Sequence, residues 1–267
     1  IGVTQVIITS GIDLSSGSLV ALTAVIASSL AQAPTARRMM FENLDLPFFV
    51  PLLVGLSVGA ICGFINGFFV AKMKIPSFIA TLGMMVAARG MAQLYTQGKP
   101  VSMLKDDYLF WGNGITPVVV YLAMGLLAHI LLSHTKYGKY VYAIGGNENA
   151  AVVSGINVVR YKIKVYTYAG ILSGLAGIIL SAQVNSGQAG MGMSFELDAI
   201  AAAVIGGTSL SGGIGRIPGT IIGSLVLGVI KSGFSFLRVD AYIQEIIKGA
   251  IIVGAVVLDV MRNKPKN

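Results

Sequence analysis

The sequence predicts an all-α, polytopic helical membrane protein, and three observations carry that prediction. Of 267 residues, 55% are hydrophobic and only 11% are charged, at a mean hydropathy of +0.79. A soluble domain carries roughly 25% charged residues to clothe its core, so lipid must be the surrounding solvent here. The apolar runs are continuous and lack the short alternating segments of a membrane barrel, which leaves helices to satisfy the backbone in hydrocarbon. Many of the 34 glycines lie inside these runs. Glycine weakens a helix in water, but in lipid it lets two helices approach closely.

Residues 1–10 read as the end of a span, followed by the break Gly11-Ile12-Asp13-Leu14-Ser15-Ser16-Gly17-Ser18 and a short apolar helix at 17–31. A mixed loop at 32–48 contains Pro34, Arg37, Arg38, Glu42 and Asp45. Spans follow at 49–71, 76–96, 116–134 and 164–184, then a short apolar piece at 198–206 and spans at 217–236 and 242–260. Runs of about 20 residues match the hydrocarbon thickness, whereas the two short pieces do not. The whole of 1–267 forms one transmembrane domain on this reading. Because the chain opens at Ile1 inside an apolar stretch, a further N-terminal span is expected to precede it.

Lysine and arginine set the orientation. Lys72 and Lys74 lie in one turn, Lys136, Lys139, Arg160 and Lys162 in the segment 135–163, and Arg262, Lys264 and Lys266 in the tail. With alternating spans all three segments share the cytoplasmic side. On the other side, Lys99 and Lys105 are balanced by Asp106 and Asp107 in 97–115, and 185–197 holds Glu196 without a basic residue. The threading of the first fifty residues stays open. Topology therefore explains the net charge of +8, and scattered basic residues without interleaved aromatics exclude a nucleic-acid surface.

One internal echo appears. Gly11-Ile-Asp-Leu-Ser-Ser-Gly17 recurs as Gly207-Thr-Ser-Leu-Ser-Gly-Gly213, each beside an apolar segment too short to cross alone. Paired interruptions of this kind point to a duplicated transporter with discontinuous helices, and they single out Asp13, Ser15, Ser209 and Ser211 as helix-break residues.

Several spans carry further signals. Gly55, Gly59, Gly63 and Gly67 recur every four residues, which places them on one slowly drifting ridge. Such a ridge serves internal helix packing or a subunit interface. Asn66, Arg89, Gln183 and Asn185 are polar groups in apolar surroundings and are candidates for lining a pathway, since such groups face protein or water. Arg89 could equally tie down carbonyls and a carboxylate, and Asp13 could cap the following helix. Glu245 and Lys248 are spaced to pair on one helix face, and Lys231 and Arg238 can snorkel outwards. In 135–163, Gly145-Gly146-Asn147 reads as a turn, with Glu148–Ser154 a short helix beyond it. Its Ala/Val surface suits either a partner's groove or the membrane interface.

Enzymatic chemistry is not visible. No phosphate-cradling Gly-rich loop with Lys-Ser/Thr occurs. His129 and His134 are five residues apart, expected on different helix faces, and with the single Cys62 they make no metal site. No cofactor is expected.

Four segments together resemble the permeases of the ribose, galactose, xylose and inositol class of bacterial ATP-binding-cassette (ABC) importers. They are Thr9-Ser-Gly-Ile-Asp-Leu-Ser-Ser-Gly-Ser18, Ala143-Ile-Gly-Gly-Asn-Glu-Asn-Ala-Ala151 with Ser154-Gly-Ile-Asn157, Phe195-Glu-Leu-Asp-Ala-Ile-Ala-Ala202, and Val204-Ile-Gly-Gly-Thr-Ser-Leu-Ser-Gly-Gly213. The resemblance implies a type II ABC-importer-like permease of about 8–10 spans with discontinuous helices, embedded in the bacterial cytoplasmic membrane. It implies ATPase subunits, an extracytoplasmic solute-binding protein and a second permease copy as partners, with lipid around them. It also implies that Gly145, Gly146, Asn147, Glu148, Asn149, Ala150 and Ala151 form the segment that couples to the ATPase. Import of a sugar or polyol is the expectation. Nucleoside, riboflavin or autoinducer import, or an ion-coupled carrier or channel, are the alternatives.

Overall fold

The computed structural model describes residues 1–36, 38–41 and 45–262. Arg37, Glu42, Lys264 and Lys266, and the side chain of Arg262, lie outside what is described. Twelve helices and two very short strands occur among the described residues: α1 (Gly2–Ile8), α2 (Ser16–Leu30), α3 (Phe49–Ala71), α4 (Ser77–Thr96), β1 (Val101–Ser102), α5 (Asp106–Leu109), α6 (Thr116–His134), α7 (Lys136–Gly146), α8 (Glu148–Val153), α9 (Val158–Gln183), β2 (Ser186–Gly187), α10 (Phe195–Ile205), α11 (Ile217–Phe236) and α12 (Ala241–Arg262). The all-α expectation holds. Five of these helices, α3, α4, α6, α9 and α11, are long and apolar enough to cross a membrane.

The centre is α2. Its 15 residues are buried on almost every side, the polar Ser16, Ser18, Thr23, Ser28 and Ser29 included. At 1.5 Å per residue it rises about 22 Å, short of the roughly 30 Å hydrocarbon layer. Encased by α3, α4 and α9, it needs no lipid contact of its own.

The glycine ridge of α3 is an internal seam, and α9 is its partner. Added Cβ atoms at Gly59 and Gly63 would fall on the carbonyl oxygens of Gly170 and Tyr166, and one at Gly67 would lie 2.7 Å from the Ile163 Cα. On α9, Gly170 and Gly174 answer with the same spacing, and Gly177 turns towards Thr23 and Val20 of α2. Three backbones thus approach one another where side chains would keep them apart.

Both echoed segments connect a short helix to one that returns: residues 9–15 between α1 and α2, and 206–216 between α10 and α11. The loop threading also resolves. Residues 31–36 pair with the segment 97–115, through Lys105 N–H to Ala31 O at 2.9 Å and Ala33 N–H to Met103 O at 2.8 Å. On that same face β1 pairs antiparallel with β2, Val101 opposite Gly187 and Ser102 opposite Ser186. The first break lies at the other face, beside the start of α4, where the Ile12 N–H donates to Ser77 Oγ at 3.1 Å.

Two local expectations need correction. Gly145 and Gly146 do not form a turn but complete α7, and Asn147 alone separates it from α8. The segment 135–163 is therefore mostly helical. The His129 and His134 rings do meet, with centroids 5.7 Å apart, because helical side chains lean towards the N-terminus and bring the last residue back over the preceding turn. Lys231 pairs with Asp198 at 2.8 Å, a charge-assisted bond that a carboxylate within reach supplies.

Candidate functional site

Helix α7 reaches both breaks. Thr135 caps it, accepting from the Gly138 N–H, and Gly138, Val141, Ile144 and Gly145 form its buried face. At its C-terminal end a Cβ on Gly145 would fall on Ile8 O and lie 2.6 Å from the Gly213 nitrogen. Only glycine lets three backbones meet here. The Gly213 N–H donates to Ile8 O at 2.9 Å, and the Ser10 hydroxyl shares its proton between Gly145 O at 3.2 Å and Ser211 O at 3.1 Å. Ser10, Gly212 and Gly213 all take positive φ, which is how the chain reverses so tightly.

Two tyrosines extend the junction. Tyr137 donates to Gln5 Oε1 of α1 at 2.8 Å, and Tyr142 donates to Gly215 O of the second break at 2.7 Å. Burial, and secondarily Tyr168, pushes the Tyr137 phenol above its ordinary value, and burial does the same for Tyr142. Both therefore remain neutral donors. Ile8, Tyr137 and Tyr142 have no signal of their own in the sequence, and Ser10 appears there only within the resemblance segment. The apolar spacing of Val141, Ile144 and Gly145 is the one signal that α7 has a buried face.

Beyond the junction, α8 is displayed outwards. Asn147 Oδ1 accepts from the Ala150 N–H at 2.9 Å and fixes the start of the helix. Ala151 packs inwards with Ile144 and Val158. Gly146, Asn147, Glu148, Asn149 and Ala150 are exposed, as are Val152 and Val153, the latter 89%. Glu148 ties α8 to α9 through Lys162 at 2.6 Å.

The first break is held from within. Asp13 Oδ1 accepts from the Ser15 N–H at 2.9 Å and from Ser15 Oγ at 2.7 Å, and Asn66 Nδ2 donates to Ser15 Oγ at 2.9 Å. Thr81 takes the Leu14 N–H and donates to Ile12 O, both at 3.2 Å. Unwound backbone in a membrane survives only when protein groups satisfy it in this way. In the second break the Ser211 N–H donates to Ser209 Oγ at 3.3 Å.

The four pathway candidates do not converge. Asn66 is buried at the first break. Arg89 Nη1 donates to Ala189 O at 2.6 Å and Met191 O at 2.7 Å, holding the non-helical strand that leads into α10. Gln183 and Asn185 are exposed at the outer end of α9, where Asn185 Oδ1 accepts from the Leu104 N–H at 2.8 Å. Each satisfies or sits beside irregular backbone. Replacing Arg89 by Met should destabilise the detergent-extracted protein by about 2–5 kcal/mol, since two carbonyls lose a charged donor. A thermal-unfolding assay checks this, and Arg89→Lys should recover part of the loss. No group of three or more potential metal ligands occurs among the described residues.

A family profile described as the permease component of branched-chain amino acid transport systems matches residues 1–256. The chain belongs to that family. It is 44% identical over 268 residues to the ribose import permease protein RbsC of Escherichia coli strain K12, covering 97% of this chain and 80% of that protein. Identity to the ribose import permease of Bacillus subtilis strain 168 is 42% over 265 residues, with 97% and 79% covered. The galactose/methyl galactoside import permease protein MglC of Haemophilus influenzae is 35% identical over 279 residues, with 100% and 83% covered. No solved structure matches the chain. This family membership makes the chain a multi-pass permease subunit of the ABC-importer class in the bacterial cytoplasmic membrane, with ATP hydrolysis in separate subunits. ATPase and solute-binding partners belong to that class in general.

Proposed function

We propose that the chain passes a sugar or related polyol across the cytoplasmic membrane as one of two permease copies in an importer. The copies sit in lipid, receive solute from an extracytoplasmic binding protein and couple to the ATPase through Gly145 to Ala151. The observation that carries this reading is the junction at Gly145, where one helix carries the outward-facing α8 on one end and touches both helix breaks. A push on α8 is delivered to the end of α1 and to the second break together, because backbone contact without intervening side chains leaves little slack. ATP acts by favouring one state of its own subunits, whose contacts with α8 differ between states.

Ribose and galactose are the solutes in the relatives' names, and they favour a sugar over the amino acids of the family description. Ala150→Glu tests the coupling: the side chain is exposed, so insertion and folding should persist. Uptake into proteoliposomes should fall at least tenfold, and the ATPase should cease responding to loaded binding protein. Unchanged uptake overturns the assignment. The solute is tested by purifying the importer with its binding protein and identifying the bound small molecule by mass spectrometry. A sugar supports the reading, and an amino acid, nucleoside or flavin overturns it. ATP-independent uptake abolished by an ionophore would establish an ion-coupled carrier instead.

A further inference from the structure

Four charged side chains from three helices converge at the outer half of the α10–α11–α12 limb. Asp198 accepts from Lys231 at 2.8 Å on one oxygen and from Lys248 at 3.2 Å on the other, and Lys248 also reaches Glu245 at 3.1 Å. A lone charge in the hydrocarbon is costly, so these groups face protein or water. They border a cavity of about 390 Å³ that also takes in Gln244, Phe195 and Phe234, within the roughly 300–1,000 Å³ of small-molecule sites.

We propose that this cavity is a subsite for a neutral polyhydroxy solute on its way through the permease. The proposal deepens the sugar-import reading and rests on it. Two carboxylates and two ammoniums cancel, so the cavity has no net charge with which to attract an ion. The charges are already matched to one another, and a zwitterion would have to break those pairs. A hydroxyl would not, because each carboxylate oxygen keeps a free lone pair and each ammonium a free N–H. Solute hydroxyls both donate and accept, which suits such mixed residual capacity. The Phe195 and Phe234 rings offer the apolar surface that the C–H face of a sugar ring needs. Phe195 is held beside the charges, with Lys231 Nζ 5.9 Å from its centroid. The position also fits, since α10 is one of the two short helices that precede a break, and transporter sites gather at discontinuous helices.

The test uses the intact importer in membrane vesicles. Cys62, the sole cysteine, is buried, so Cys62→Ala with Gln244→Cys places one thiol at the cavity. A membrane-impermeant thiosulfonate should label it, and millimolar D-ribose or D-galactose should slow labelling at least threefold. Absence of labelling overturns the proposal. Labelling unaffected by either sugar, in vesicles that import that sugar, overturns the subsite and leaves the importer reading standing. Slowing by leucine and by neither sugar overturns both. Asp198→Asn should independently reduce sugar uptake at least tenfold while loaded binding protein still stimulates the ATPase, and unchanged uptake in this variant also counts against the subsite.

Discussion

Gly145→Val is expected to lower uptake below a tenth of the parent while the importer still assembles in the membrane. The new side chain would fall on Ile8 O and crowd the Gly213 nitrogen, both backbone atoms that cannot rotate away. Overpacking of this kind costs roughly 1–3 kcal/mol or more, and the cheapest relief is to lift the end of α7 off the two breaks. The bonds from Gly213 to Ile8 and from Ser10 to Gly145 would then be lost together. Reconstituted complexes should keep basal ATP hydrolysis yet lose its link to transport. Gly83→Val, where an added Cβ meets nothing within 4 Å, is the matched control on a span. Parental uptake by Gly145→Val would remove the junction from the mechanism.

Gly63→Leu should act on stability instead of coupling, and strongly. A Cβ there already lands on Tyr166 O, 3.0 Å from the Thr167 Cα and 3.1 Å from the Gly170 Cα, and the rest of a leucine has nowhere to go. The helices α3 and α9 would have to separate along a seam whose attraction in lipid is mostly close van der Waals fit. Adjacent glycines at Gly59 and Gly67 would lose contact as well, so the loss should exceed the roughly 1–3 kcal/mol of one overpacked site. Heating the detergent-solubilised protein and following the monodisperse peak by size-exclusion chromatography reads this directly. Gly63→Ala should fall between parent and Gly63→Leu. A leucine variant melting with the parent would mean that the seam is not tight in the membrane.

Five of the six predicted spans correspond to helices long and apolar enough to cross, because hydropathy is a property of consecutive residues. The ridge at Gly55, Gly59, Gly63 and Gly67 was legible for the same reason, through its period. Its partner was not: Gly170 and Gly174 carry the same spacing on α9, but nothing local says which ridge meets which. The two breaks announced themselves as a repeated phrase, yet their mutual contact joins Ser10 to Ser211 across the fold, and no periodicity records that. Of the polar residues in apolar runs, Arg89 takes one of the two roles read for it, tying down carbonyls, but which carbonyls it meets was not legible. Asn66, Arg89 and Asn185 spend their hydrogen bonds on unwound backbone or its flanking residues, a demand that exists only once the chain has folded. The pair Glu245 and Lys248 was visible as a local spacing, but the convergence with Asp198 and Lys231 needed three helices in place.

The small ribbon of β1 and β2 has a mechanical meaning. With the Ser102 and Ser186 hydroxyls 3.0 Å apart, Gln32 Nε2 reaching Ser102 O at 3.1 Å, Tyr108 bonded to Ser181 at 2.8 Å and Ser29 bonded to Tyr95 at 2.7 Å, the outer tips of α2, α4 and α9 are riveted like the pivot of a pair of tongs. Tongs open at the end away from the rivet. Relative motion of these helices is expected to be smallest at this ribbon and largest at the face away from it.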